Sequence, residues 1–159
     1  MNKSQELSAL AVKPAGLQPS SAQDRSIQSR PSENQAADHF KREGDLVYAG
    51  KHLIADFWEA SGLDDMDLVD NALRSAVQAS GATLLHIHLH HFSPYGGISG
   101  VAVLAESHIS VHTWPENGFA AFDVFMCGDA EPELAIPVLR DAFRPAREDI
   151  QVYRRGIQD

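Results

Sequence analysis

Side chains able to do chemistry crowd between His86 and Cys127. His86, His88, His90 and His91 fall within six residues. Glu106-Ser107-His108 and His112 follow, and the single cysteine, Cys127, stands just before Gly128-Asp129. Period-two spacing puts His86, His88 and His90 on one strand face, with neighbouring side chains about 6.6 Å apart along it. A zinc ion holds its ligands about 2 Å away, so two of these imidazoles could converge on one. No cysteine or H-E-x-x-H pattern lies nearby, and the expectation is no metal, with the histidines on a half-exposed or interface face. His52, inside an apolar run, reads as a structural histidine. A lone cysteine with histidines elsewhere is a candidate nucleophile, but Cys127 lacks the sequence context of the thiol proteases and by spacing alone reads as a small buried hydrophobe. Ser107 has no G-x-S-x-G elbow and no local base oriented by an acid, so by spacing alone it belongs to a hairpin turn. Gly96-Gly97-Ile98-Ser99-Gly100 does not open a helix, and its glycines suit a tight turn better than a phosphate cradle.

The elements that must hold these groups are legible from periodicity. Tyr48 to Trp58 alternates as a strand, with Leu53 and Ala55 on one face and Ile54 on the other. Asp64-Asp65-Met66-Asp67 places acids at a helix start, and Leu68, Val69, Ala72, Leu73, Ala76 and Val77 recur at helical spacing up to Gly81. Strands are expected over 83–92, 101–104, 109–114 and 119–126, with Glu106-Ser107-His108 between or inside two of them. Pro94-Tyr95-Gly96-Gly97 and Pro115-Glu116-Asn117-Gly118 are turns. A second helix opens at Glu131-Pro132-Glu133, carries Leu134, Val138, Leu139 and Phe143 on its apolar face, and stops at Pro145. Ile150, Val152 and Tyr153 belong to a last strand. Strands joined by short turns, with two helices set apart, predict an α+β two-layer sandwich: an antiparallel sheet with helices packed on one face.

Composition narrows the function classes. Thirteen Lys+Arg against 22 Asp+Glu leave 159 residues with a formal charge of −9, which argues against nucleic acid as a partner. No apolar run approaches the 18 or so residues of a membrane span, and the N-terminus lacks the apolar region of a secretory signal. One cysteine excludes an internal disulfide framework. Residues 1–44 hold seven Ser, five Gln and three Pro with one aromatic, and are expected to be a disordered tail. Acids scattered through them spoil a transit-peptide reading. Residues 45–159 carry seven basic and 17 acidic side chains and form the expected folded domain.

The runs His90-His91-Phe92-Ser93-Pro94, Ser99-Gly100-Val101, Ala105-Glu106-Ser107-His108-Ile109-Ser110-Val111-His112-Thr113-Trp114-Pro115-Glu116 and Asp123-Val124-Phe125-Met126-Cys127-Gly128 closely resemble the prokaryotic-type S-adenosylmethionine decarboxylase proenzymes. More loosely the resemblance runs from about Gly50 to Gly156. Gly96-Gly97 carries one residue more than the commonest loop, and the 44-residue leader is long. The resemblance implies that Ser107 attacks the Glu106 carbonyl, that the chain divides into 1–106 and 107–159, and that Ser107 becomes a pyruvoyl group that forms a Schiff base with S-adenosylmethionine. It implies Ser99 and His112 as the processing residues, His112 as proton acceptor, and Cys127 as proton donor in the decarboxylation. Phe92, Trp114 and Glu116 would bind substrate, the rings on adenine and the carboxylate on ribose. Further implications are a cytoplasmic enzyme of polyamine biosynthesis and an α2β2 or larger assembly of processed chains. Decarboxylation of ornithine or arginine by the same device is the alternative within pyruvoyl chemistry. A non-enzymatic homologue would have lost Ser107, His112 or Cys127, and all three are present.

Overall fold

The computed structural model describes residues 39–158. Seven strands form one antiparallel sheet. β1 (Lys41–Glu43), β2 (Leu46–Trp58), β3 (Leu84–His91), β4 (Ile98–Leu104), β5 (Ser107–Trp114), β6 (Phe119–Met126) and β7 (Arg147–Ile157) lie in the order β1-β2-β6-β5-β4-β3, with β7 also on β2. The helices α1 (Met66–Ala79) and α2 (Ala135–Phe143) pack on one face. The expected α+β sandwich is the observed architecture. Most of the expected tail lies outside the described residues. Its last part does not: Lys41–Glu43 pair with Leu46–Tyr48, so the folded region begins no later than His39 rather than at Asp45.

Local chemistry explains both helices. The Asp65 carboxylate caps α1, accepting hydrogen bonds of 3.0 Å from the Asp67 and Leu68 amides. Val69, Ala72, Leu73, Ala76 and Val77 then form its buried stripe. α2 departs from expectation. A 3-10 turn over Pro132–Leu134 delays its start to Ala135, which rotates the buried face to Ala135, Ile136, Leu139 and Phe143 and leaves Leu134 45 % exposed. The helix ends at Arg144, left-handed with φ 48°, whose amide donates to the Arg140 carbonyl at 2.8 Å. Phe57, Phe122 and Phe143 meet between the layers with ring centroids 5.3–5.4 Å apart. Each such ring contributes about 1.5–3 kcal/mol by leaving water. β7 is longer than expected and follows β2 from Trp58 to Tyr48.

β5 carries most of the motif residues, and its pleat sorts them. Ser107, Ile109, Val111 and Thr113 are buried on the helix-covered side, while His108, Ser110, His112 and Trp114 alternate onto the open side. The register is continuous against both β4 and β6. Thr113 ties the far end to the core, donating to the Leu63 carbonyl at 2.7 Å and accepting from the Ile98 amide at 2.8 Å.

Candidate active site

The β4–β5 hairpin turns at Ala105-Glu106, and Ser107 is the first residue of β5 rather than part of a loop. The turn is made by Glu106, whose φ of 58° is left-handed. A non-glycine residue there costs on the order of 1 kcal/mol or more, so its surroundings must hold it. They do so through Cys127, at the end of β6. The Cys127 thiol donates to the Glu106 carbonyl oxygen at 3.0 Å, and its amide donates to Ser107 Oγ at 3.2 Å. The sulfur lies 3.6 Å from that oxygen. Ser107 is 7 % exposed. A hydroxyl, the carbonyl before it and a donor on that carbonyl therefore meet at one end of the sheet.

A second cluster sits at the other end. His112 Nδ1 is 2.8 Å from Ser99 Oγ, across directly paired positions of β5 and β4. Phe92, Ser99, Trp114 and Glu116 line a cleft of about 180 Å³ together with Tyr95, Gly97 and Thr113. Gly97 lets the loop close on β5, since a Cβ there would stand 2.8 Å from the Thr113 carbonyl oxygen. The rings of His112, Trp114, Phe119 and Trp58 continue across the open face in steps of 5.3–6.1 Å, ending under the Arg147 guanidinium.

The two clusters do not meet within one chain. Five residue steps lead from Ser107 to His112, about 17 Å at a rise of about 3.4 Å, and the two side chains leave opposite faces of β5. The ladders on both sides of β5 run without a shift, so no bulge returns His112 to the face that Ser107 occupies.

Between the clusters the open face carries a polar network. Asp123 accepts from Ser110 Oγ at 3.0 Å and lies 3.2 Å from His52 Nε2, while His52 Nδ1 lies 3.0 Å from an Arg155 nitrogen. Burial, then the neighbouring His52, pushes His108 below its ordinary value. Burial, then Asp149 and Asp123, pushes Asp56 above its own. His86, His88 and His90 stand exposed on this same face. Among the described residues no three of His, Cys, Asp or Glu gather as a metal site, and no helix is long and apolar enough to cross a membrane.

Comparison with known proteins gives the family. Residues 51–156 match the S-adenosylmethionine decarboxylase family. The chain belongs to this family. It is 48 % identical over 109 residues to the S-adenosylmethionine decarboxylase proenzyme of Thermomicrobium roseum, spanning 68 % of this chain and 94 % of that one. To the proenzyme of Methanococcus aeolicus it is 51 % identical over 114 residues, 70 % of this chain and 97 % of the relative. The crystal structure of the Aquifex aeolicus adenosylmethionine decarboxylase superposes with a TM-score of 0.64 at 35 % identity, covering 70 % of this chain and 94 % of that one.

Sequence reasoning for a member of the S-adenosylmethionine decarboxylase family named Ser99, Ser107, His112, Cys127, Phe92, Trp114 and Glu116. It missed that they divide into two groups. It also passed over Tyr95, 71 % exposed at the cleft's lip, whose signal was an aromatic inside a Pro-Tyr-Gly-Gly turn.

Proposed function

We propose that the chain is a proenzyme that breaks its own Glu106–Ser107 bond and then removes carbon dioxide from S-adenosylmethionine, yielding the aminopropyl donor of polyamine biosynthesis. A cytoplasmic site of action is part of the same reading. The observation that carries it is the Ser107–Glu106–Cys127 junction. Attack by Ser107 Oγ forms an ester bond to the Glu106 carbonyl carbon as the amide C–N bond breaks, and the hydroxyl proton passes to the Ser107 nitrogen. The donor on the carbonyl oxygen is placed where negative charge develops. The attack is intramolecular, so position replaces a strong local base. Loss of the Ser107 α proton to His112 then expels the Glu106 carboxylate and splits the chain.

The residues present suit a pyruvoyl group at position 107. The Ser107 carbons are its precursor, with the hydroxyl oxygen leaving in the Glu106 carboxylate, the nitrogen leaving as ammonia and water supplying the keto oxygen. The left-handed Glu106 is the leaving acyl group, and a thiol stands beside both. Such a group supplies a carbonyl that captures the substrate amine and draws electrons from the bond to the departing carboxylate. Cys127 holds the proton that the substrate carbon takes up. Phe92 and Trp114 offer flat apolar faces to adenine, and the Glu116 carboxylate accepts from ribose hydroxyls. An acidic chain, −9 in all, is compatible with a sulfonium cation. Neither ornithine nor arginine has a ring for these aromatics, and no relative described above carries such a name.

Two copies complete the site. Open-face packing about a two-fold axis near Ser110 and Asp123 would bring the Ser99–His112 end of one copy onto the Ser107–Cys127 end of the other. Separately, the clefts at the two ends measure about 180 and 290 Å³, below the range of about 300–1,000 Å³ usual for small-molecule sites. The exposed Trp114, Val103 and Tyr153, 39–45 % accessible, would be covered in such an assembly. Co-expression of Ser107→Ala with His112→Ala chains tests this. Each variant alone should stay uncleaved, and the pair should cleave the His112→Ala chain and release carbon dioxide from S-adenosylmethionine. No cleavage in the pair would place the site within one chain. Release from ornithine or arginine alone would overturn the substrate.

A further inference from the structure

Residues 39–50 precede the stretch that matches the family, yet they reach the cleavage junction. His39 Nε2 lies 3.3 Å from a carboxylate oxygen of Glu106. The His39 carbonyl accepts from the Gly128 amide at 2.7 Å, next to Cys127. Lys41 Nζ donates to the Gly128 and Ala130 carbonyls at 2.8 and 2.6 Å, and its strand β1 pairs with β2. The far end of this strap is anchored by Glu43. Lys51, Tyr48 and Arg154 hold the Glu43 carboxyl down to about 2, with the Lys51 contact the largest cause. The same segment also walls the 290 Å³ cleft beside the junction, where His39 and Phe40 face Glu106, Phe125 and Cys127.

We infer that His39 is a positioning residue for self-cleavage, holding the Glu106 side chain so that its left-handed backbone keeps the carbonyl between the Ser107 hydroxyl and the Cys127 thiol. The inference rests on the self-cleavage reading above and adds to it a segment outside the family match. Glu106 has a backbone conformation that its side-chain type disfavours. A strap tied at Gly128, at Ala130 and through Glu43 gives the histidine a fixed origin from which to hold it. In the bond change itself, Ser107 Oγ joins the Glu106 carbonyl carbon while the amide nitrogen leaves with the hydroxyl proton. His39 exchanges no atom in this step and acts only through Glu106.

Full-length chains made in a cell-free system and followed by denaturing mass spectrometry test this role. Both partners are more than half exposed, 58 % and 53 %, so the expected slowing in His39→Ala is modest, about threefold to fivefold. His39→Gln, which keeps a donor, should recover most of the rate. In a Glu106→Ala background, replacing His39 should slow cleavage no further. An unchanged rate in His39→Ala, no recovery by glutamine, or equal slowing in the Glu106→Ala background would overturn the inference. Absence of cleavage in the wild type would instead strike the self-cleavage reading, and the inference with it.

Discussion

Cys127→Ala is expected to cleave to completion and yet turn over about 10²–10⁴-fold more slowly, the range general acid catalysis contributes. The reason is placement. The thiol lies 3.6 Å from Ser107 Oγ at the strand end, within reach of a substrate carbon held at that residue. Cleavage slows, because the thiol donor on the Glu106 carbonyl is lost. It still completes, because it happens once per chain and the Ser107 hydroxyl, its neighbouring carbonyl and the Cys127 amide on that hydroxyl all remain. A second signature accompanies the slow turnover. Without the thiol, protons arrive on the wrong carbon more often, and each such event leaves an alanine terminus on the 53-residue piece. Carbon dioxide release measured beside the mass of that piece would show both effects. Unchanged turnover with no alanine terminus would remove Cys127 from the reaction.

His112→Ala is expected to halt self-cleavage between its two chemical stages. Ester formation needs only the Ser107 junction, while removal of the α proton needs a base. The Ser99 hydroxyl lies 2.8 Å from His112 Nδ1, which on the proposed role would leave Nε2 to take the proton. The stalled chain should contain an ester, which hydroxylamine attacks far faster than an amide. Addition of hydroxylamine should therefore release residues 1–106 from His112→Ala and nothing from Ser107→Ala. Failure to release that piece would move His112 out of the elimination step.

Much of the fold was legible because the chain is locally consistent. α1 announces itself by an acid-rich start, a five-residue apolar stripe and Gly81, and β6 by strict alternation of buried and half-buried side chains. What escaped was decided by small backbone events. The 3-10 turn before α2 shifts its face by one position, and nothing in Glu131-Pro132-Glu133 fixes where a turn tightens. The first strand was missed because three residues, Lys41-Arg42-Glu43, carry no apolar pattern. Their place beside β2 is supported by Lys41 reaching the Gly128 and Ala130 carbonyls and Glu43 reaching Arg154, all far along the sequence.

The candidate site was legible as a set of residues and not as an arrangement. A motif gives the side chains in order, whereas the pleat gives their faces. Odd positions from Ser107 to Thr113 point inward, so the even-numbered His112 had to leave the opposite side. That separation follows from counting along β5 once the strand is started at Ser107 rather than Ile109. The left-handed Glu106 carried no sequence signal, because glutamate seldom adopts it. His39 carried none either, since its partner is 67 residues away and exposed.

The most direct test is the intact mass of the purified wild-type chain under denaturing conditions after prolonged incubation. Two pieces are expected, residues 1–106 and a 53-residue piece beginning at position 107 without a free amino terminus, while Ser107→Ala remains a single 159-residue chain. A wild-type chain that stays whole, or one that divides at another bond, would contradict it.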